Sequence, residues 1–574
     1  MSGNEERVNT LMSLLKRRGV IFPAFEIHGG VAGLFDYGPV GGRLLRKVQQ
    51  AWREHWLSLG NVVEIDSPTL TPHSVLEASG HVGAFNDHAS ECAACGAVFR
   101  SDHLLEAHHP NPDPLTAEQL DSLIASHGVA CPSCGKTEWL AARPMNLMFA
   151  TQIGAVGGGR RAYMRPETAQ GMFLTFPNVK RHFRERLPFG VIQVGKGYRN
   201  EISPRQGVIR QREFNMAELE YFVDPESPTV HDLSPWDSQP FNLVPDPAGP
   251  HPEPTSMTIG DAITKQLVRD HTVGLFMALT HDFLTSIGAD PAKIRFRQHE
   301  ADEMAHYASD CWDLEMHGGY GWIECVGIAH RGCYDLAAHE TATSSGELRA
   351  WREFGEPKEI DMEVLAPVGA VIGPAFRAQA ALVNEALAAL QQLPESVPFE
   401  LTLSNEDVVT IEEGMVERKR VQETIRGEWY LPHVIEPAFG LDRIIWHLLD
   451  HSFEKTEKEG EEYVILHLSE NVAPYEAVVL PLFEKDGMAE LAGLVQKRIL
   501  GLRGISAYYD GSRSIGRRYA RADEIGVPWA VTVDHQSVED GTVTIRRRDD
   551  QKQVRTSVDE LLGHLNAGTL SGLF

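Results

Sequence analysis

The chain has 574 residues, which suggests about three to five domains at roughly 100–200 residues each. Its 53 Lys and Arg residues against 80 Asp and Glu residues give a formal net charge of −27, which argues against indiscriminate nucleic-acid binding but not against a local basic site. A hydrophobic share of 42% and a charged share of 23% exclude wholesale disorder, and no run of about 18 apolar residues predicts a membrane span.

The N-terminal segment predicts an amphipathic helix, a glycine-rich stretch over residues 28–42 and a second helix from Gly42 to Leu59. A strand ended by prolines is predicted over residues 61–72. The start of the chain has no long apolar stretch before a cleavage site, and its seven cysteines are sparse, so we expect a reduced, cytoplasmic protein. The second helix is predicted to place these apolar residues on one side: Leu44, Leu45, Val48, Trp52 and Trp56.

Four of the cysteines form two Cys-x-x-Cys-Gly knuckles, Cys92 with Cys95 and Cys131 with Cys134. The Gly after the second Cys frees backbone amides to point at the thiolates, and four thiolates are the ligands of a closed, tetrahedral zinc site. The spacing therefore predicts structural Zn²⁺, and the alternative is a set of inert thiols. Four histidines between the knuckles could replace a thiol or could be solvated loop residues: His103, His108, His109 and His127.

The middle of the chain carries weaker signals. Residues 223–256 are rich in Pro, Asp and Ser and predict an exposed connection, and helical patterns follow near residues 257–287 and 375–393. Residues 452–462 are charged and poor in apolar side chains, which is typical of a linker. Beyond them, short apolar runs alternate with a helix near residues 484–501 and predict an α/β domain with parallel strands.

Residues 190–197 (GVIQVGKG) nearly match a phosphate-binding loop, but the match fails at its last position. The last position should be Ser or Thr, whose hydroxyl holds magnesium, and here it is Gly197. The lysine is also followed by Tyr-Arg-Asn-Glu and not by a helical pattern. We therefore do not predict a P-loop.

A basic hairpin follows at residues 197–222 (GYRNEISPRQGVIRQREFNMAELEYF). The pattern predicts a strand into Arg199 and Glu201, then a Gly/Pro loop, then a second strand. Residues 180–214 contain nine Lys or Arg against three Glu, and clustered arginines can grip a nucleotide triphosphate bidentately. A solvated basic hairpin would not need the flat ring of Phe214. The second strand is predicted to carry Arg210, Arg212, Glu213 and Phe214.

This hairpin resembles motif 2 of the class II aminoacyl-tRNA synthetases. Residues 437–446 (PAFGLDRIIW) resemble motif 3, and residues 67–72 (SPTLTP) with the preceding helix resemble motif 1, the dimer element. The class I signatures HIGH and KMSKS are absent from the sequence. Further segments, spread over nearly the whole chain, are similar to the homodimeric glycyl-tRNA synthetases: residues 26–39, 165–171, 217–222, 321–331 and 436–440.

The resemblance implies an α/β (α+β) fold with the antiparallel sheet of class II synthetases flanked by helices. It also implies a zinc-knuckle insertion and a C-terminal α/β domain that binds the anticodon. We expect these boundaries: a catalytic domain over residues 1–90 and 141–451, the zinc-knuckle insertion over 91–140, a partly helical insertion over 223–300 and the anticodon-binding domain over 463–574.

The function that the resemblance implies is a glycine–tRNA ligase, with glycine, ATP and tRNA(Gly) as substrates and Mg²⁺ accompanying ATP. Arg199 would hold the α-phosphate and the glycine carboxylate, Arg443 the γ-phosphate and Glu324 the magnesium, and these are the expected catalytic residues. Glu324 could instead form a salt bridge to an arginine. The expected ATP-binding residues are Arg199, Asn200, Glu201, Ile209, Arg210, Gln211, Arg212, Glu213, Phe214, Glu324, Cys325, Gly440, Leu441, Asp442 and Arg443.

Glycine offers only its ammonium and carboxylate, so carboxylates are the natural partners of the ammonium, and pocket walls must exclude a methyl group. Arg100 matches a substrate-contact position of the family but could be a surface arginine. The family pattern has Ser where this chain has Ala438, and we expect selectivity for glycine to be retained. The expected glycine-binding residues are Arg100, Glu167, Phe214, Asn215, Met216, Ala217, Glu218, Glu436, Pro437, Ala438, Phe439 and Gly440.

The C-terminal residues 471–574 are nearly neutral, with 13 Lys or Arg against 14 Asp or Glu. Arginines cluster at 513–521 and 546–548, where they could meet an RNA loop or could form a solvated basic strand. Two rival functions remain open at this point. One is a non-catalytic relative of the synthetases, and the other is a class II ligase for another small amino acid.

Overall fold

The structure, a computed structural model, describes residues 3–109, 111–112, 114–155, 158–227, 231–245, 253–300, 310–390, 393–394, 396–458 and 460–574. It divides into two compact units: Met1–Leu348 with Pro432–Phe574, and Arg349–Leu431. No helix among these residues is both long and apolar enough to cross a membrane.

The α-helices, in chain order, are α1 (Gly3–Arg17), α2 (Gly41–Leu57), α3 (His73–Ala78), α4 (His81–Ala84), α5 (Ala117–Ser126), α6 (Ala169–His182), α7 (Ile259–Thr264), α8 (His271–Ser286), α9 (Tyr334–Thr343), α10 (Gly369–Phe376), α11 (Ala380–Ala388), α12 (Leu441–Ser452), α13 (Met488–Leu500), α14 (Ile515–Asp523), α15 (His535–Asp540) and α16 (Val558–Ala567).

The strands, in chain order, are β1 (Ile21–Pro23), β2 (Phe35–Tyr37), β3 (Val62–Glu64), β4 (Leu70–Pro72), β5 (Asn86–Glu91), β6 (Val98–Arg100), β7 (Arg143–Asn146), β8 (Ala150–Ile153), β9 (Arg160–Met164), β10 (Phe189–Tyr198), β11 (Glu213–Val223), β12 (Phe241–Val244), β13 (Thr255–Met257), β14 (Ile294–Gln298), β15 (Asp310–Gly318), β16 (Gly321–Gly332), β17 (Ala350–Pro367), β18 (Phe399–Thr402), β19 (Val408–Ile411), β20 (Val416–Tyr430), β21 (His433–Gly440), β22 (Phe453–Lys458), β23 (Glu461–Leu466), β24 (Ala477–Pro481), β25 (Ala507–Tyr509), β26 (Trp529–Val533), β27 (Thr542–Arg547) and β28 (Gln553–Ser557).

The first unit is built around a nine-stranded sheet with the order β13-β12-β14-β15-β16-β21-β11-β10-β3. Its pairings are antiparallel except β12 with β14 and β10 with β3. Helices α2, α8 and α12 cover one face of this sheet, and their apolar side chains form its largest core. This confirms the expected mixed α/β fold with a large antiparallel sheet flanked by helices.

Helix α2 confirms the predicted amphipathic pattern, because Leu44, Val48, Trp52 and Trp56 recur every four residues and are all buried. The rings of Trp52 and Trp56 both lie edge-on to Phe439 of β21, with centroids 5.6 and 5.9 Å away. The helix thereby fixes the position of the strand that carries the second predicted motif.

Two segments differ from their sequence predictions. The predicted exposed connection over residues 223–256 contains β12, whose Phe241, Leu243 and Val244 are buried against β14. The predicted linker over residues 452–462 is instead the hairpin of β22 and β23, stabilised across the strands by contacts such as Lys455 Nζ to Glu462 Oε2 at 2.8 Å. Proline content hid β12, whose partner β14 lies about 50 residues further along the chain, and charge hid the hairpin, whose strand β22 is largely exposed and polar.

The second unit, residues 349–431, has its own small core and was not separated in the sequence analysis. Its long strands β17 and β20 pair antiparallel, and β18 pairs with β19. The helix expected near residues 375–393 is two helices, α10 and α11, with a 3-10 turn at Arg377–Gln379 between them. Residues 391 and 392 of the predicted helix lie outside the residues that the structure describes.

The C-terminal part of the first unit has a five-stranded sheet with the order β25-β24-β26-β27-β28. Strands β24, β25 and β26 are parallel as predicted, whereas β27 and β28 add antiparallel pairings. This part contacts the N-terminal helices: Arg43 lies over the ring of Tyr475 at 4.5 Å, and Lys47 forms an ion pair with Glu476.

Three of the clustered arginines in this C-terminal part are buried, whereas Arg513 and Arg517 are exposed, and for these two a contact with RNA stays a prediction. Arg518, Arg546 and Arg548 are only 3–4% exposed. Arg546 donates two hydrogen bonds to the carboxylate of Asp523 at 2.9 and 3.0 Å, and the guanidinium of Arg548 donates to the carbonyl of Gly526 at 2.9 Å. These arginines hold the domain together, so they are not free to meet RNA.

We predict that Arg546→Ala destabilises the C-terminal domain by about 3–5 kcal/mol, because it leaves the buried carboxylate of Asp523 without a cation, with only the hydroxyl of Tyr463 as a hydrogen-bond donor. Chemical denaturation followed by tryptophan fluorescence measures the change. The control is Arg517→Ala on the exposed side of α14, which should change the free energy of unfolding by less than about 0.5 kcal/mol. Equal stability of the two variants would contradict the structural role.

Candidate active site

One cleft, of about 760 Å³, opens beside the loop that joins β10 to β11. Its walls combine residues of that loop with residues of β11, β16, β21 and the start of α12. The sequence analysis did not single out Val208, which also lines it. The predicted site residues that line the cleft are Arg199, Glu201, Ile209, Arg210, Gln211, Phe214, Asn215, Met216, Glu218, Glu324, Cys325, Ala438, Phe439, Gly440, Asp442 and Arg443.

The basic hairpin forms as predicted, but its arginines lie in the loop and not in the second strand. β10 ends at Tyr198 and β11 begins at Glu213, so Arg210 and Arg212 precede the strand. Phe214 pairs with Gly197, and a Cβ at Gly197 would lie 2.6 Å from the Phe214 ring. Only glycine therefore lets the ring lie flat against the neighbouring strand.

Arg199 lies between two aromatic rings, with its guanidinium carbon 5.5 Å from the Phe214 centroid and 5.4 Å from the Phe85 centroid. Among the described residues, its Nε has no hydrogen-bond partner although it is buried, and neither has Oε2 of Glu201. Both residues line the cleft, and a buried donor and a buried acceptor without partners mark it as a place where a polar ligand would satisfy them.

Arg443 stands at the opposite wall, at the start of α12. Its Nη1 donates to the carbonyl of Glu324 at 2.8 Å and lies 3.3 Å from the Glu324 carboxylate, and its Nε donates to the carbonyl of Ile209 at 3.2 Å. Against the effect of burial, this arginine lowers the pKa of Glu324. The salt bridge that the sequence analysis left open is therefore present.

Asp442 is a buried carboxylate that ties three segments together. It accepts hydrogen bonds from Tyr37 Oη at 2.5 Å, from Gln211 Nε2 at 2.9 Å, and from the backbone and side-chain amides of Asn215 at 2.7 and 2.8 Å. These contacts hold the glycine-rich segment and the hairpin in place, and because Asp442 also lines the cleft, its assignment to ATP stays a prediction.

Three carboxylates form an acidic pocket: Glu218 lines the cleft, and Glu436 and Glu167 lie next to Glu218 without lining the cleft. Glu218 accepts hydrogen bonds from the backbone and the hydroxyl of Thr168, the former at 2.7 Å. Burial, together with the carboxylates of Glu436 and Glu167, raises the pKa of Glu218 to about 8. Burial likewise raises the pKa of Glu436, against the effect of Arg331. The pocket thus concentrates carboxylates that have no full complement of cations.

Arg331 contacts the acidic pocket and was not predicted as a site residue, although it ends one of the segments quoted for the family resemblance. Its Nη1 donates to Glu436 at 2.7 Å and its Nε donates to Asp335 at 2.9 Å, with the arginine 5% exposed. Glu167 instead lies 3.4 Å from His81 and accepts from Gln170 at 3.0 Å. The alternation of side chains along β16 and β21 was the signal that could have paired Arg331 with Glu436.

Several predicted residues lie outside the cleft wall. Ala217 and Leu441 belong to the large core on the other face of the sheet, and Pro437 is buried. Six further predicted residues do not line the cleft: Asn200, Arg212, Glu213, Glu167, Glu436 and Arg100. Arg100 is held by two carboxylates, Asp87 at 2.6 Å and Asp102 at 2.7 and 2.9 Å.

The four knuckle cysteines come together as the spacing predicts. All four sulfurs lie within 4.8 Å of one another, with Cys92 Sγ 3.7 Å from Cys134 Sγ and Cys95 Sγ 3.7 Å from Cys131 Sγ. Zn–S bonds of about 2.3 Å in a tetrahedron put sulfurs about 3.8 Å apart, so the donor set fits zinc. Among the described residues, no histidine belongs to this cluster.

The glycines of the knuckles adopt the left-handed conformation that the motif requires. Gly96 has φ 71° and donates its N–H to the carbonyl of Cys92 at 2.8 Å, and Gly135 has φ 73° and donates to the carbonyl of Cys131 at 2.8 Å. The two turns have the same local geometry, although they are far apart in the chain.

Comparisons with known proteins agree with the geometry. Residues 156–234 match the family described as the class II tRNA synthetase core domain (G, H, P, S and T), and residues 476–567 match the family described as the anticodon binding domain. The chain is 44% identical to a glycine–tRNA ligase of Methanocaldococcus jannaschii over 97% of this chain and 98% of that protein. It is 43% identical to that of Methanothermobacter thermautotrophicus (97% and 98%) and 40% identical to that of Methanothrix thermoacetophila (98% and 98%).

Proposed function

Because the chain belongs to the glycine–tRNA ligase family of class II aminoacyl-tRNA synthetases, we propose how its cleft divides that reaction among its residues. The enzyme activates glycine with ATP and transfers the glycyl group to tRNA(Gly). One observation carries the residue assignment: the arginines of the hairpin loop and Glu218 of the acidic pocket line one cleft, with Phe214 and Glu218 four residues apart on β11.

The first step is the attack of a glycine carboxylate oxygen on the α-phosphorus of ATP, with pyrophosphate as the leaving group. No side chain need act as a nucleophile, so positioning and charge neutralisation supply the rate enhancement. Arg199 would hold the α-phosphate beside the glycine carboxylate, Arg443 the γ-phosphate, and Phe214 would stack on adenine. Mg²⁺ bound to ATP would offset phosphate charge, and Glu324 is the carboxylate that would hold it.

The second step is the attack of the 3′-terminal ribose hydroxyl of tRNA on the carbonyl carbon of glycyl-adenylate, with AMP as the leaving group. In both steps the glycine ammonium must stay fixed, and we assign it to Glu218, Glu167 and Glu436. Arg331 would be a positioning residue, since it fixes Glu436 through a hydrogen bond of 2.7 Å.

Selectivity against alanine must come from the pocket walls, because one methyl group is worth only about 1–3 kcal/mol in a loose pocket. Ala438 pairs with Glu218 on one side and with Gly327 on the other, so it lies in the floor between the acidic pocket and β16. The methyl group of Ala438 and the close β11–β21–β16 packing would leave no room beside the glycine α-carbon.

We predict amino-acid-dependent ATP–pyrophosphate exchange with glycine and at least about 100-fold lower kcat/KM with alanine. The matched variant Ala438→Ser restores the family residue and should keep this ratio within about threefold. Absence of glycine-dependent exchange would favour a non-catalytic relative, and comparable exchange with alanine or serine would favour a ligase for another small amino acid.

We predict that the KM for glycine falls by about one order of magnitude as the pH rises from about 6.5 to about 8.5. With a pKa of about 8, Glu218 holds a proton at neutral pH, and the glycine ammonium favours its ionised form. Glycine binding must therefore release this proton, and the free-energy cost of the release disappears as the pH rises through the pKa of Glu218. Exchange assays at saturating ATP measure KM, and Glu218→Gln should raise KM and abolish its pH dependence. A pH-independent KM in the wild type would contradict the assignment.

We propose that Cys92, Cys95, Cys131 and Cys134 hold one structural Zn²⁺, which would act on folding and not on the chemistry. Mass spectrometry of protein purified without chelator should find about one zinc per chain. Cys95→Ser should lower the zinc content and expose residues 91–140 to protease, while Cys333→Ser, outside the knuckles, should change neither. Full zinc content in the Cys95→Ser variant would refute the site.

The remaining assignments concern assembly and location. We propose a homodimer, supported by apolar side chains exposed near the segment that resembles motif 1, such as Leu70 at 45%. Sedimentation at twice the chain mass of 63.7 kDa is the expected result. We also propose a cytoplasmic location, supported by the free thiols of the knuckles, and the domain boundaries given above, with residues 476–567 contacting the anticodon of tRNA(Gly).

A further inference from the structure

The segment between the two knuckles is connected to the loop that carries the cleft arginines. It contains a 3-10 turn, His103–Leu105, whose Leu104 and Leu105 are buried. These leucines pack with Leu120 and Ile124 of α5 and form the small core of the insertion. The turn is therefore fixed to the zinc-knuckle insertion and is not a loose loop.

Two side chains leave this turn toward the hairpin loop. Nε2 of His103 accepts a hydrogen bond from Nη1 of Arg210 at 2.7 Å. Glu106 accepts two hydrogen bonds from the guanidinium of Arg205, at 2.7 and 3.3 Å. The second pair is roughly half exposed, so it contributes little free energy, whereas His103 is only 12% exposed.

The hairpin loop is held by contacts from outside its two strands, such as Asp442 with Gln211 and Arg443 with Ile209, and His103 adds the contact at Arg210. Between the end of β10 at Tyr198 and the start of β11 at Glu213 it has no strand pairing, and it turns through Gln206 and Gly207 at φ 59° and 62°. A guanidinium on such a loop loses considerable conformational freedom when it binds a phosphate. A contact that orients it beforehand lowers that cost.

The chemistry of the partner matters as much as its position. Arg100 and Arg205 are both paired with carboxylates, which offset their charge. Among the described residues, Arg210 has no carboxylate within salt-bridge distance and hydrogen-bonds to an imidazole instead. Burial and the neighbouring arginines, against Asp102, lower the pKa of His103 to about 4, so this imidazole is neutral at physiological pH. A neutral acceptor orients a guanidinium without cancelling the charge that a phosphate needs.

We propose that His103 is a positioning residue for ATP: it orients Arg210 toward the cleft from the zinc-knuckle insertion and leaves the arginine charge available to the nucleotide. The proposal rests on the proposed function and on the expectation from the sequence that Arg210 binds ATP. It also assigns a task to the insertion beyond its own folding, because the insertion carries the acceptor that the hairpin lacks.

The test is a set of substitutions at His103, measured by glycine-dependent ATP–pyrophosphate exchange. His103→Ala should raise the KM for ATP by about tenfold, with kcat and the KM for glycine changed by less than about twofold. His103→Gln keeps a neutral acceptor and should restore the KM for ATP to within about twofold of the wild type. His103→Glu keeps an acceptor but adds a negative charge beside Arg210, and should raise the KM for ATP.

The matched control is His108→Ala, an exposed histidine of the same insertion whose ring stacks on His127. It should leave the KM for ATP unchanged. In the double variant with Arg210→Ala, the His103→Ala substitution should have no further effect, because its target is gone. Zinc content and melting temperature of every variant should match those of the wild type.

An unchanged KM for ATP in His103→Ala would overturn the inference, as would failure of His103→Gln to restore it in a protein with normal zinc content and melting temperature. If His103→Ala does not fold, the comparison of His103→Gln with His103→Glu decides, since equal KM values for ATP would equally refute the role of the neutral acceptor. An Arg210→Ala variant with unchanged KM for ATP would instead refute the proposed nucleotide contact.

Discussion

The structure depends on keeping unlike charges close together without letting them neutralise one another. Strand β11 is the element that does this. Its first residues carry Phe214 beside the loop arginines, and Glu218 follows on the same strand, about 14 Å further along at about 3.4 Å per residue. Continuous pairing with β10 fixes both positions, and pairing with β21 from Met216 onward supports the Glu218 end, so the two parts of the cleft stay apart.

The acidic end and the cationic end of the cleft each keep some charge without an ion-pair partner, and the physical cause differs between them. At the acidic end, more carboxylates are buried than there are cations to pair with them, and the excess is held as a proton on Glu218. At the cationic end, Arg210 is oriented by a neutral imidazole while the arginines around it are paired with carboxylates. A preorganised site of this kind needs little rearrangement when substrates bring the missing charges.

The sequence alone predicted much of this cleft, because the motif residues are close in the chain and the register of one hairpin brings them together. It placed Arg199, Phe214 and Glu218 in the cleft, and it predicted the four cysteines correctly as one cluster. It did not separate the two faces of β11, although the alternation of strand side chains sends Ala217 to the core whenever Glu218 faces the cleft.

The contacts that sequence reasoning missed join residues far apart in the chain. Asp442 accepts from Tyr37 across 405 positions, and His103 accepts from Arg210 across 107, and no local pattern encodes such pairs. The orientation of the buried arginines of the C-terminal sheet could not be predicted for the same reason. Arg546 lies in a basic run that is typical of an RNA-binding strand, yet its direction is set by Asp523, which lies on another element.

The contacts of the N-terminal helices have a consequence for the size of the RNA. The side of α2 with Trp52 and Trp56 is packed under the catalytic sheet, while Lys47 of the same helix is paired with Glu476 of the C-terminal part, and Arg17 of α1 reaches Glu524 at 3.2 Å. Helix α2 therefore contacts both the sheet that carries the cleft and the domain that matches anticodon-binding proteins. A tRNA that contacts both parts at once has to span a distance that these helix contacts fix before the RNA binds.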